Sequence, residues 1–192
     1  MRERTYTLYD LDELLTDVRQ RVLDRHRHIN VEDAWWYQSI VSEWKTRLES
    51  MGYEDPMILF SGFYCQGDGA CFEARINLER WLDHSGLTSK YERLREAYSS
   101  CDVELTLRHS GRYYHKYSTR LESHYSGSDD RVARELGEVD ALISEEKVRL
   151  ANEIYRELES AYEGYTDNEA VAETLNANEF EFFKNGRVAG DC

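Results

Sequence analysis

The sequence predicts an α+β fold: an antiparallel sheet of about four strands in two hairpins, covered by helices, with a long C-terminal helix and a small terminal hairpin. Three observations predict it. Aromatic-rich or alternating apolar runs between residues 57 and 125 are punctuated by glycine-bearing turns. Patterns of helical period precede, interrupt and follow that region. The 192 residues, 41% hydrophobic and 12% aromatic, suit one domain with a sizeable core and argue against disorder. The expected layout is a single domain over residues 1–192. It places N-terminal helices in 1–52, a sheet region with an inserted helix in 57–125, the long helix in 129–165 and the terminal hairpin in 178–190.

Each element has its own signal. Asp10 can cap a helix whose apolar positions are Leu11, Leu15, Val18 and Val22, and the pattern fades near Arg25-His26-Arg27-His28. A second helix is expected from about Val31 to Met51, with Trp36, Ile40, Trp44, Leu48 and Met51 as its stripe and Gly52 as its stop. Trp35 lies about 100° around from Trp36 and so leaves that stripe. Met57 to Cys65 and Ala70 to Asn77 read as strands joined by Gly67-Asp68-Gly69, with Gln66 and Asp68 at the tip. A helical zone from Leu78 to Tyr98 is expected to break near His84-Ser85-Gly86.

Val103, Leu105 and Leu107 alternate with Glu104, Thr106 and Arg108, the pattern of a strand with one solvated face. A three-residue loop, Ser110-Gly111-Arg112, would place His109 opposite Tyr113 and Leu107 opposite His115. It would open a strand from Tyr113 to Tyr125 with Tyr117 and Leu121 on the apolar face. From Arg131 to Tyr165, Leu136, Val139, Ile143, Leu150, Ile154, Leu158 and Ala161 recur amid many charges, which suggests a solvated outer helix or a coiled-coil-like arm. Asn185-Gly186 closes the terminal hairpin.

Composition excludes several classes of function. With 38 acidic against 24 basic side chains, the net charge of −14 repels phosphate backbones, so direct nucleic-acid binding is not expected. A partner protein with a basic surface is favoured instead. No apolar run approaches the ~20 residues of a membrane helix. Cys65, Cys71, Cys101 and Cys192 show no zinc-type spacing, and reduced thiols in a cytosol are expected. Neither a phosphate-binding loop nor a Gly-x-Ser-x-Gly elbow occurs.

The two hairpin tips carry the chemistry. The first offers Ser61, Gln66 and Asp68; the second offers His109, Arg112, Tyr113, Tyr114 and His115. If the tips share one end of the sheet, these groups converge on a small polar ligand or a peptide, and an aspartate beside a histidine is an acid–base pair in principle. The competing reading is structural: Asp68 bonds its own turn, while Tyr113 and His115 only pack. Metal binding by His26 and His28, or by His109, His115 and Asp68, lacks a specifying spacing, so no metal and no cofactor are expected. Trp35, with Tyr64, Tyr113 and Tyr114, is a candidate stacking or partner-binding residue.

The Tyr-Asp-Leu-Asp-Glu-Leu start and Ala34-Trp35-Trp36 are accompanied by two longer blocks. These are Phe60-Ser61-Gly62-Phe63 continuing into Gln66-Gly67-Asp68-Gly69-Ala70-Cys71-Phe72, and His109-Ser110-Gly111-Arg112-Tyr113-Tyr114-His115. Together they resemble a family of small, uncharacterised phage and mobile-element proteins. The resemblance implies a setting in a bacterial host cytoplasm and carries no catalytic role. Three functions are then expected. One is a phage accessory protein that binds and inhibits or redirects a host factor, such as a component of host immunity. The second is a small-ligand protein, a sponge for a nucleotide signal or a hydrolase, built on the two tips. The third is an antitoxin-like module that forms a homodimer through the long helix.

Overall fold

The computed structural model describes residues 5–190. They form an α+β fold whose sheet has four antiparallel strands in the order β1-β2-β3-β4. The strands are β1 (Tyr53–Phe60), β2 (Ala70–Ile76), β3 (Val103–His109) and β4 (Thr119–Tyr125). The helices are α1 (Thr16–Arg25), α2 (Trp35–Ser50), α3 (Leu78–Ser85), α4 (Glu92–Ser99), α5 (Asp130–Tyr165) and α6 (Asn168–Ala177). The backbone of the described residues groups into two compact units, one drawn from residues up to 38 and from 160 onward, the other Ser39–Glu159.

The sheet lies wholly in the Ser39–Glu159 unit. Val103, Leu105 and Leu107 are buried while Glu104 and Arg108 are exposed, so the period-two pattern of β3 reports its buried face. Gly86 ends α3 in the left-handed conformation at φ 67°, where the sequence places the break, and α4 follows. Gly52 has φ 98° and no room for a Cβ, which would lie 2.7 Å from the backbone nitrogen of Trp81. The chain therefore turns from α2 into β1 at a position only glycine fills.

The strand boundaries differ from the sequence expectation. β1 begins at Tyr53 and ends at Phe60, not Met57 to Cys65, and the connection is a nine-residue loop from Ser61 to Gly69 closed by a Ser61 N–H to Gly69 carbonyl bond of 3.0 Å. β4 begins at Thr119, not Tyr113. Leu107 faces Leu121, six residues beyond His115, and His109 faces Thr119. The three-residue turn is replaced by a loop from Ser110 to Ser118, and Tyr117, expected on the apolar face, is 65% exposed. The physical reason is parity. His115, Tyr117, Thr119 and Leu121 alternate onto one side of an extended chain, so burying Leu107 opposite any of them satisfies the pattern, and apolar Leu121 is the better partner.

Over its Asp130–Glu159 portion helix α5 is no free arm: one face is buried and the opposite face is exposed, as for an outer helix. Val132, Leu136, Val139, Ile143, Leu150, Ala151, Ile154 and Leu158 are buried in the chain's own core. Its carboxylates grip the neighbouring elements. Glu135 accepts the Leu94 N–H at the start of α4, Asp140 accepts the Ser123 hydroxyl of β4, and Glu157 accepts the Trp44 indole of α2. Glu146 accepts both the Tyr53 hydroxyl of β1 and the Trp81 indole of α3, each at 2.8 Å. Burial first, and the Glu146 charge second, push the Tyr53 phenol far above its ordinary value, so it remains a donor to that carboxylate.

The other unit is built around Leu11, Leu14, Val18, Val22, Leu23, Val171, Ala172, Leu175 and Phe182. Asp10 and Glu13 form a capping box around a single 3-10 turn, Leu11–Glu13, and α1 starts only at Thr16. Leu15, expected in the apolar stripe, is 64% exposed; Leu14 takes its place in the core. Helix α2 starts at Trp35, four residues after the expected Val31, and α6 is an element the sequence reading did not separate. The terminal hairpin is present in reduced form, with Phe182 bridging both Val188 and Tyr9. Cys192 lies outside the described residues.

Candidate functional site

Both loops of the sheet region open on one cavity of about 710 Å³. The first loop supplies Gln66, Gly67, Asp68 and Gly69, the second Tyr113, His115, Lys116 and Tyr117, and α5 supplies Ala151, Asn152 and Tyr155. The loops touch. A Cβ on Gly69 would lie 2.7 Å from the Cβ of His115 and 3.0 Å from the Tyr114 carbonyl, and one on Gly67 would lie 2.9 Å from the Tyr113 ring. Gly67 also has φ 97°. The glycines of the first tip thus admit the second loop to close approach as well as permitting the turn.

Each loop holds its shape with its own polar groups. In the first, Asp68 Oδ2 accepts the N–H groups of Tyr64 at 3.0 Å and Cys65 at 2.7 Å, while the Asp68 N–H donates to the Cys65 carbonyl. In the second, the Ser118 N–H donates to the His115 carbonyl at 2.7 Å and the Ser118 hydroxyl accepts the His115 N–H. The Tyr117 N–H donates to His115 Nδ1 at 3.1 Å, so the neutral imidazole carries its proton on Nε2 and presents a donor there. Asp68 therefore has a structural duty on one oxygen and still lines the cavity.

Of the residues singled out from sequence, Gln66, Asp68, Tyr113 and His115 converge on the cavity. The others do not line it. Ser61 sits at the base of the first loop with its hydroxyl oxygen buried and without a hydrogen-bond partner. His109 is occupied in holding the second loop: its N–H donates to Glu73, Nε2 meets the Tyr113 carbonyl at 3.1 Å, and its ring lies 5.0 Å from Tyr114. The Arg112 guanidinium sits 6.0 Å from the Tyr113 ring. Trp35 belongs to the other unit and is 79% exposed.

Sequence reasoning missed Lys116, Tyr117, Asn152 and Tyr155. A local signal for the first two was present. From Leu105 to Leu121 the chain has no Asp or Glu, yet Arg108, Arg112, Lys116 and Arg120 give it four cations interleaved with tyrosines. The global charge of −14 masks that run. Asn152 and Tyr155 gave no signal, because α5 meets the loops only through the tertiary fold.

Tyr155 packs against Phe63 at 5.5 Å between ring centroids. Burial first, then the charges of Glu159 and Asp68, push its phenol above the ordinary value, so it is a hydrogen-bond donor at neutrality. Beneath the lining, Lys147 is only 8% exposed and donates to the Thr119 carbonyl at the end of the second loop. Burial holds its amine below the ordinary lysine value. Burial likewise pushes the Cys71 thiol up, and this thiol is 1% exposed, which disfavours a Cys71–His115 nucleophilic pair. Among the described residues no three His, Cys, Asp or Glu side chains cluster as a metal set.

An antiparallel four-stranded meander backed by helices, with a polar and aromatic cavity between its two hairpin loops, is the class of protein this geometry defines. Residues 36–168 match the model of the domain of unknown function DUF8835, and the chain belongs to that family. No curated protein and no solved structure matches the chain. No helix among the described residues is long and apolar enough to cross a membrane.

Proposed function

We propose that this is a small-ligand-binding protein that takes a polar ligand between its two hairpin loops. The observation that carries the reading is convergence. Two loops more than 40 residues apart in sequence, and a helix further on, place two amides, a carboxylate, an imidazole, an ammonium and three phenols around one cavity. Its size falls within the range of about 300–1,000 Å³ common to ligand pockets, and few convergent polar groups on an aromatic lining are their usual composition. Nothing in the arrangement demands bond breaking. Asp68 is tied to its own loop, His115 Nδ1 to Tyr117, and Cys71 is buried as a thiol.

A fragment screen followed by two-dimensional NMR tests the reading. Ligands should shift the amides of Gln66, Gly67, His115, Lys116 and Asn152 together. If no member of a chemically diverse library moves that set, the reading falls.

A second reading has its own observation. Trp35 stands 79% exposed on a chain of net charge −14, which suits a phage-encoded accessory protein that engages a basic host protein. In that case a single stoichiometric partner is captured at low salt and lost in Trp35→Ala. Capture that Trp35→Ala leaves unchanged removes this reading.

A further inference from the structure

We infer that the ligand of this cavity is a nucleotide, a planar base carrying a phosphate, with Lys116 as the phosphate anchor; the inference rests on the ligand-pocket reading above. Three features support it. First, the cation is placed in an otherwise unfavourable chain. Lys116 lines the cavity within a run of four cations that contains no carboxylate, although the chain as a whole carries 14 more acidic than basic groups. The only carboxylate among the lining residues is Asp68, and two N–H bonds to its Oδ2 offset part of that charge. Lys116 therefore offers an anion a counter-charge at this place, set against Asp68 and the Glu159 charge felt at Tyr155.

Second, the walls are aromatic on both sides. Tyr113 and Tyr117 come from the second loop and Tyr155 from α5, and every nucleobase has a face that stacks on such rings. The Lys116 ammonium lies 5.3 Å from the centre of the Tyr117 ring, which brings a stacking surface and a positive charge together. Third, the remaining polar groups suit a base edge. The amides of Gln66 and Asn152 both donate and accept, His115 presents Nε2–H, and Asp68 Oδ1 can accept from an exocyclic amine. The acidic surface favours a mononucleotide over a polynucleotide, whose following phosphates would leave the basic hairpin.

The experiment compares AMP, adenosine, inorganic phosphate and single-stranded octadeoxyadenylate by calorimetry and thermal shift on the full chain. AMP should raise the melting temperature, because it binds only the folded state. It should also bind at least tenfold more tightly than adenosine or phosphate alone. Lys116→Ala should weaken AMP by roughly tenfold to a hundredfold, the range expected on losing a charged hydrogen bond, and leave adenosine unchanged. Lys116→Arg should restore most of the AMP affinity. The ligand-free melting temperature of each variant checks folding.

Adenosine binding as tightly as AMP overturns the phosphate anchor, as does loss of adenosine and AMP in equal proportion in Lys116→Ala. Tighter binding of octadeoxyadenylate than of AMP assigns the site to a polynucleotide instead. If fragments shift the cavity amides while AMP does not bind, the nucleotide is wrong and the pocket stands. If neither binds, both readings are lost.

Discussion

The loops Ser61–Gly69 and Ser110–Ser118 have equal length and equal closure, and they are fastened by different chemistry. Each ends its hairpin with a bond from its first N–H to its last carbonyl, and each contains a tight turn, Cys65 to Asp68 in one and His115 to Ser118 in the other. The first turn is fastened by a carboxylate that takes two N–H groups. The second is fastened by a hydroxyl and an imidazole nitrogen that take one each. Bonds to an ionised acceptor are roughly twice as strong as neutral ones. The first loop thus brings a charge-fastened, glycine-rich tip to the cavity, and the second brings the side chains of Tyr113, His115, Lys116 and Tyr117. A further difference lies at their roots. The second loop alone runs into a carbonyl, that of Thr119, held by the buried amine of Lys147.

The largest effect is expected where the loops meet. Gly69→Ala puts a methyl group against the His115 backbone, which has no flexible end to yield. It should cost about 1–3 kcal/mol, as overpacking does, and should abolish ligand-induced NMR shifts on both loops together. Unchanged melting in Gly69→Ala would mean that the loops are not in contact.

Fastening comes next, and the two loops should differ. Asp68→Ala should cost about 1–3 kcal/mol and Ser118→Ala about 0.5–1.5 kcal/mol, following charged and neutral hydrogen bonds respectively. Hydrogen exchange should locate each loss in its own loop, at Tyr64 and Cys65 in one variant and at His115 in the other. Equal costs would show that the carboxylate confers no extra stiffness.

The smallest effect concerns Lys147, where two contributions oppose one another. An amine held below its ordinary value by burial costs free energy wherever the folded chain carries its proton. Lys147→Met removes that cost and also the hydrogen bond to the Thr119 carbonyl, so the two should offset to within about 1 kcal/mol near neutrality. The sign of the pH dependence follows. Between the lowered folded value and the ordinary one near 10.4, the unfolded chain holds the proton and the folded chain does not. Stability of the parent should rise with pH through that window relative to Lys147→Met, so the difference between them changes with pH. Denaturant titrations at increasing pH measure it, and a gap independent of pH would refute the burial argument.

Much of the fold was legible because local rules settle it. The period-two burial of Val103, Leu105 and Leu107, the break at Gly86 and the stop at Gly52 all follow from alternation and from conformations that glycine reaches freely. The capping signal at Asp10 was real but opened a 3-10 turn, since Leu14 rather than Leu15 reached the core. In the candidate site, Gln66, Asp68, Tyr113 and His115 were legible from turn chemistry and polar groups at glycine-bearing tips. His109 was not separable from them, because its commitment to Glu73 and the Tyr113 carbonyl is made only on folding.

By itself, then, the sequence determined the buried face of β3, the stops at Gly52 and Gly86, and two polar glycine-bearing tips whose convergence it left open. Tertiary structure alone decided the register that pairs Leu107 with Leu121, because alternation is unchanged when a strand slides by an even number of residues. It also decided that the α5 carboxylates clasp Tyr53, Trp81 and Leu94 instead of facing water. Periodicity records which side of a helix is apolar, whereas the partner of each polar group depends on contacts between residues far apart in the chain, and the cavity wall of Asn152 and Tyr155 arises in that way.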